Sequence, residues 1–363
     1  MALSCGIVGL PNVGKSTIFS ALTAADAARG NFPFCTIDPN VAVVDVPDAA
    51  LEEMRHFQPT ERLVYAACRI VDIAGLIAGA SKGEGMGNQF LANIRECDAI
   101  MQVVRCFESS VVVREDPVNP AGDMELIETE LMLADLQTLE KAGDRAARAA
   151  KSGDKEAILL DGAIKRAIEV LNSGRMLRAV EWKGAELEAL NPLCLLTAKP
   201  MLYVANVAED DLEGSSAHAR AVAARAATSG AGVVAICGDM ECELRTLGVE
   251  ERAAFMSALG MKEPGLDRLV REVYRLLGLQ TYYTCGPKEI RAWTIRRGAT
   301  APEAAGVIHT DFEKGFIRAQ IFSLNDLKEC GSEAAVKAAG RLRTEGRDYV
   351  MQEGDICHFL TNR

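Results

Sequence analysis

Short apolar runs alternate with stretches of helical periodicity along most of this chain. Leu3–Val8, "RIVD" ending at Asp72, "DAIMQVVRCF" and "KPMLYVAN" each read as a buried strand. Between the last two lies a long interruption, from about Asp123 to Leu190, rich in Ala, Leu, Glu and Lys. There Ile127, Leu131, Ala134 and Thr138 recur at helical spacing, and "AAKSGDKEA" supplies the one Gly-Ser break. Two antiparallel helices are predicted. Beyond "VVAICGDMECELRTL", two more helices follow in "EERAAFMSALG" and "GLDRLVREVYRLLGL". From about Gln280 the pattern changes to brief apolar runs, "TYYTC", "RAWTI", "GFIRAQIF" and "DYVMQEGDICHFL", with one helix-like "APEAAGVIH". The expected fold class is α/β, with residues 1–122 and 192–279 forming one domain. The expected insert is a helical, coiled-coil-like arm over 123–191, and 280–363 a small α+β module of β-grasp type.

A length of 363 residues suits two or three domains, and 49% apolar with 25% charged residues is ordinary globular composition. The net charge of −11 argues against non-specific nucleic-acid binding by total charge, while leaving room for a local basic patch. Eleven cysteines are scattered with no C-x-x-C and no pairing with the four histidines, which speaks for a reducing compartment rather than zinc or disulfides. The N-terminus runs straight into a motif, and no stretch of eighteen apolar residues occurs. A cytoplasmic protein without a membrane partner is expected.

The first motif is "CGIVGLPNVGKSTIFSAL", which holds G-x-x-x-x-G-K-S from Gly9 to Ser16 between a strand and a helix start. Backbone N–H groups across Asn12, Val13, Gly14, Lys15, Ser16 and Thr17 would face phosphate oxygens. Lys15 would neutralise their charge, and the Ser16 hydroxyl would ligate Mg²⁺. Asn12 either helps to hold a K⁺ ion beside the phosphates or simply suits the turn after Pro11.

Two further segments follow in the order a nucleoside triphosphatase requires. "NFPFCTIDPN" offers Thr36 as a metal ligand in a first switch, and "RIVDIAGL" offers Asp72, reaching the metal through water, followed by Gly75 at the γ-phosphate. Leu76 stands where Ras-type enzymes carry a water-orienting Gln, so the attacking water must be ordered from elsewhere. Cys35 precedes Thr36, where its oxidation would disturb the metal loop, although a lone loop cysteine is more often inert.

The base-reading position carries Asn206-Val207-Ala208-Glu209 rather than Asn-Lys-x-Asp. Guanine offers two donors to an Asp carboxylate; Glu209 displaces those oxygens by a methylene, and the usual lysine wall is missing. Asn206 can face adenine N6 or N7, so adenine is the expected base. Cys237 and Gly238 fall where a fifth nucleotide motif would lie.

Together, "GIVGLPNVGKST", "NFPFCTI", "DIAGLIAGASKGEGMGNQFL" and "NVAE" resemble the YchF family of Obg-like ATPases, along essentially the whole chain. The resemblance implies ATP hydrolysis in a GTPase fold, a leucine in place of the catalytic glutamine, and association with ribosomes. It also implies base reading near Asn206 with help from the Val207 backbone. One departure stands out. Where the family carries a loop histidine after "VVRCFE", this chain reads "SSVVVREDPVNP", with Val113 or Arg114 at that position. Arg114 would steady transition-state charge but is a poor base, so weak basal turnover is expected.

The C-terminal module resembles the TGS domain. Lys288, Arg291, Arg296, Arg297, Lys314 and Arg318 interleave there with Trp293 and Phe316 as a candidate surface for ribosomal RNA. The expected function is a Mg²⁺-dependent ATPase switch, monomeric and ribosome-associated. The alternatives are a GTPase of relaxed base specificity, or a ribosome-binding factor that scarcely hydrolyses its nucleotide.

Overall fold

The structure, a computed structural model, describes residues 3–27, 40–73, 85–108 and 117–362. Thr36, Cys35, Gly75, Leu76, Val113 and Arg114 lie outside the described residues. The chain divides into two units, the second made of residues 43–68 and 270–362 among those described, and the first of the remainder.

The first unit is built on a sheet of order β2-β4-β1-β5-β6-β7. Its strands are β1 (Ser4–Val8), β2 (Val41–Asp45), β4 (Ala67–Asp72), β5 (Ala99–Arg105), β6 (Met201–Asn206) and β7 (Gly232–Ile236). β2 and β4 carry the chain out to the second unit and back. β1 pairs in parallel with β4 and β5, β5 with β6, and β6 with β7. β1, β5 and β6 are buried along their whole length, as continuous apolar runs are when helices cover both faces of a parallel sheet. The helices of the nucleotide half are α1 (Lys15–Ala27) and α3 (Gly85–Glu96).

Between β5 and β6 the chain inserts α4 (Pro120–Ala150) and α5 (Lys155–Asn172). Asn119 caps α4 by accepting from the Gly122 N–H, with Pro120 in the first turn, where its missing N–H costs nothing. The link between the helices is four residues long, and Asp154 caps α5. Leu139, Ala146, Ala163, Ile164 and Ala167 form the seam. Gly143 matters there, because a Cβ on it would stand 3.3 Å from Ile164. The expected helical spacing holds: Ile127, Leu131 and Ala134 are buried, and Thr138 bonds back to the Ala134 carbonyl. After α6 (Gly184–Leu190), β6 and α7 (Ala217–Thr228), the first unit continues through α8 (Gly238–Thr246) and α9 (Val249–Ala258) into α10 (Gly265–Leu276).

The second unit holds α2 (Ala49–Phe57) and a mixed sheet of order β11-β10-β12-β8-β9-β3. β8 (Leu279–Cys285) and β9 (Glu289–Arg296) form a hairpin. Then come α11 (Ala301–Ile308), α12 (Thr310–Lys314), β10 (Phe316–Phe322), α13 (Leu324–Cys330), α14 (Glu333–Ala338), β11 (Arg343–Glu345) and β12 (Ile356–Thr361). β12 pairs antiparallel with β10 and parallel with β8, which is the β-grasp arrangement. Its core packs Tyr282, Ile295, Ala304, Phe316, Ile321 and Cys357. At the far edge β3 (Arg62–Val64) pairs in parallel with β9. Residues 43–68, expected to lie within the nucleotide domain, thus contribute a capped helix and an edge strand to the C-terminal sheet's unit.

Candidate nucleotide site

The loop between β1 and α1 takes its shape from two left-handed residues, Asn12 with φ of 62° and Gly14 with φ of 89°. An exposed Asn tolerates that region through its short polar side chain. Gly14 has no substitute, since a Cβ there would lie 2.0 Å from the Asn206 Nδ2. Gly9 is nearly as tight, with a Cβ 2.9 Å from Val13 and 3.0 Å from the Val103 carbonyl. The loop can therefore pack this closely against Asn206, Val13 and β5 only because these positions lack side chains.

Lys15 opens α1, and its Nζ forms an ion pair with the Asp72 Oδ1 at the end of β4. Parallel pairing puts Asp72 opposite Ile7, one residue before the end of β1, so the sheet itself delivers the carboxylate to the loop. Ser16 is exposed beside them, and Thr17 half-buried. Val13 is buried and fixes the loop from below.

Asn206, at the end of β6, is only 4% exposed. Its Nδ2 donates to the Val13 carbonyl at 2.9 Å, and its Oδ1 accepts from the Gly238 N–H at 3.0 Å. These partners admit one orientation of the amide, since a carbonyl needs a donor and an N–H needs an acceptor. The side chain therefore braces the phosphate loop against the start of α8. The Val207 N–H is spent on the Ile236 carbonyl, leaving the Val207 carbonyl as the backbone group that can still accept. Glu209 is exposed in a short turn, Glu209–Asp211. Cys237 is buried at the residue preceding α8, and burial pushes its thiol up.

Sequence reasoning missed two supports of β6. Tyr203 donates to the Glu128 Oε1 at 2.6 Å, Arg225 donates to Glu128 Oε2 at 2.9 Å, and Arg178 lies 3.6 Å from Glu128. Tyr203, Glu128 and Arg178 are buried, and burial raises the Tyr203 phenol and lowers the Arg178 guanidinium. Just before β6, fully buried Asp135 of α4 accepts from the Leu196 and Thr197 N–H groups at 2.9 and 2.7 Å and from the Thr197 hydroxyl at 2.6 Å. Acidic residues on an otherwise amphipathic helix gave no sign of this, because a buried carboxylate and a solvated one look alike in sequence.

Of the sequence-predicted residues, the structure gathers Asn12, Val13, Gly14, Lys15, Ser16, Thr17, Asp72 and Asn206 around one cradle. Hard oxygen donors on Ser16 and Asp72 beside an ammonium suit Mg²⁺ with a polyphosphate. In the C-terminal unit the aromatic pattern needs correction. Phe316 is 5% exposed in the core, and Trp293 donates to Thr284 with the Arg291 guanidinium 4.5 Å over its ring. Phe316 therefore offers no face to a base, and one side of Trp293 is already covered.

A strand–loop–helix cradle at the end of β1, a paired Lys and Asp, and a mostly parallel sheet define a P-loop nucleotide-binding protein of the GTPase class. Residues 4–141 match the family described as "50S ribosome-binding GTPase". Residues 279–362 match the C-terminal family of YchF GTPases, described as a protein of unknown function. A protein of Escherichia coli O157:H7 named "Ribosome-binding ATPase YchF" is 50% identical over all of both chains. The Bacillus subtilis (strain 168) protein of that name is 46% identical, again over all of both. The solved Schizosaccharomyces pombe YchF GTPase superposes with a TM-score of 0.90 at 36% identity, covering 99% of this chain and 97% of the other. The chain belongs to the YchF family.

Proposed function

We propose that this protein is a Mg²⁺-dependent ATPase that works as a conformational switch on the ribosome. The observation that carries the reading is the Lys15–Asp72 pair at the mouth of the loop. Two opposite charges held there are the two that a metal–polyphosphate separates, the ammonium going to phosphate oxygens and the carboxylate to the metal's water shell. Ser16 and Thr36 would hold the metal with Asp72, and bound Mg²⁺ would offset the charge that develops on the phosphates. Gly75 would follow the γ-phosphate, so that loss of that group releases its loop. Asn12 is the candidate for a K⁺ contact.

Adenine is favoured because Glu209 carries a methylene more than the Asp that reads guanine, and because no lysine walls the base. Low turnover follows from Leu76, which cannot orient water, and from a loop that offers Arg114 but no histidine. The relatives' name supports ribosome association, and we infer a cytoplasmic monomer; among the described residues no helix is long and apolar enough to cross a membrane. Leu76 also favours a second reading, a ribosome-binding factor whose nucleotide is mainly structural. Calorimetric titration of nucleotide-free protein with ATP and GTP in Mg²⁺ tests the first reading. Ten-fold tighter ATP, about 1.4 kcal/mol, is expected, and a preference for GTP would overturn it. Single-turnover hydrolysis with and without ribosomes separates the second, which requires no acceleration.

A further inference from the structure

The second unit contains a cavity of about 610 Å³, well within the size range of small-molecule sites. It is a cleft open to solvent at one side, where Arg275, Arg297 and Val350 are exposed. Its base is buried and its polar groups are already satisfied. Gln280 donates to the Met351 carbonyl at 2.8 Å, Tyr274 donates to the Gln280 carbonyl at 3.0 Å, and the Thr281 N–H donates to Glu353 at 3.2 Å. Asp48 is committed as well, to the Ala50 N–H and the Tyr283 hydroxyl. The base is therefore pre-organised and needs no solvent to complete it.

The wall is charged in one direction. Arg271 and Arg275 stand one turn apart on α10, and Arg297 joins them from the end of β9. Arg275 and Arg297 are both exposed at the cleft's rim. Arg275 reaches Glu272 on its own helix, outside the lining, at 2.6 Å. Beside the arginines lie Val46, Leu279 and Val350, the last 44% exposed. Guanidinium groups standing beside apolar side chains suit a molecule with an anionic head and an apolar body.

We propose that this cavity binds a small organic anion, a carboxylate or phosphate on an apolar body. Arg275 and Arg297 take the head, and Val46, Leu279 and Val350 take the body. The site is separate in composition from the nucleotide cradle, sharing no residue with it.

The test uses the full chain, saturated with Mg²⁺ and ATP, and two fluorescent probes. These are 8-anilinonaphthalene-1-sulfonate and its uncharged counterpart N-phenyl-1-naphthylamine. The sulfonate should bind saturably at one site and be displaced by octanoate or octyl phosphate. Displacement by octanoate alone assigns a carboxylate ligand, and displacement by octyl phosphate alone a phosphate. Substituting the exposed arginines together, Arg275→Gln with Arg297→Gln, should weaken the sulfonate ten-fold or more while the uncharged probe and the Tm stay unchanged. Three results overturn the proposal: no saturable sulfonate binding, equal behaviour of both probes in the variant, or bound dye that neither octyl compound displaces.

Discussion

Asn206→Ala separates a brace from a base reader. The substitution removes the two hydrogen bonds that join the Val13 carbonyl to the Gly238 N–H through one buried amide. Both partners lie in a buried setting, and each orphaned group costs about 1–3 kcal/mol. The expected loss in unfolding free energy is therefore about 2–4 kcal/mol, allowing for partial relaxation or entry of water. The space beside Gly14 also opens, since the Asn206 Nδ2 is what a Cβ there would strike. A loosened phosphate loop must be ordered by the ligand itself, so nucleotide affinity should fall by about ten- to a hundred-fold, or 1.4–2.8 kcal/mol. The decisive ligand is inorganic tripolyphosphate, which has phosphates and no base. If Asn206 acts as a brace, tripolyphosphate and ATP lose affinity by the same factor in calorimetric titrations. If tripolyphosphate binds the variant as well as the parent while ATP binding falls, the reasoning from the brace is refuted.

Asp135→Ala would strip two buried N–H groups and a hydroxyl of their acceptor, and should cost about 3–5 kcal/mol in urea unfolding. A cost under about 1 kcal/mol would show that the turn before β6 finds other partners. The Ser323 hydroxyl and N–H hold Asp326 below the usual carboxylate range. Its contribution to stability is thus complete above its ordinary pKa and is lost as pH falls through the depressed one. The Tm difference between the parent and Asp326→Asn should be full at neutral pH and shrink as pH falls below the ordinary carboxylate range. Among the described cysteines Cys194 is the exposed one, whereas burial pushes the Cys68 and Cys106 thiols up to about 12. Iodoacetamide at pH 8, followed by peptide mass spectrometry, should label Cys194 well ahead of those two.

The phosphate loop was legible because its glycines, lysine and serine are consecutive and their strand–loop–helix setting is local. The helical hairpin was legible for a similar reason, since its periodicity runs unbroken through α4. What stayed hidden depends on groups far apart in sequence. That Asn206 turns its amide to the Val13 carbonyl involves residues 193 positions apart. That residues 62–64 form an edge strand beside β9 is not written in their three-residue run, which reads as loop until its partner is known. Phe316 and Trp293 looked like a stacking surface because spacing along a strand does not say which face meets the core. The cavity of the second unit left no motif, since its arginines come from a helix and a turn.

The pairing of β3 with β9 also sets a schedule for the newborn chain. Arg62 precedes Glu289, its partner in the sheet, by 227 residues. At about 5–20 residues per second of synthesis, β3 waits roughly 10–45 s for its neighbour to be made. Through that interval Leu63 and Val64 belong to an unpaired segment. A nascent chain that stalls before β9 keeps an open β edge, the kind that recruits other chains. The C-terminal sheet thus closes over an early segment only once about four-fifths of the chain, through β9, has been made.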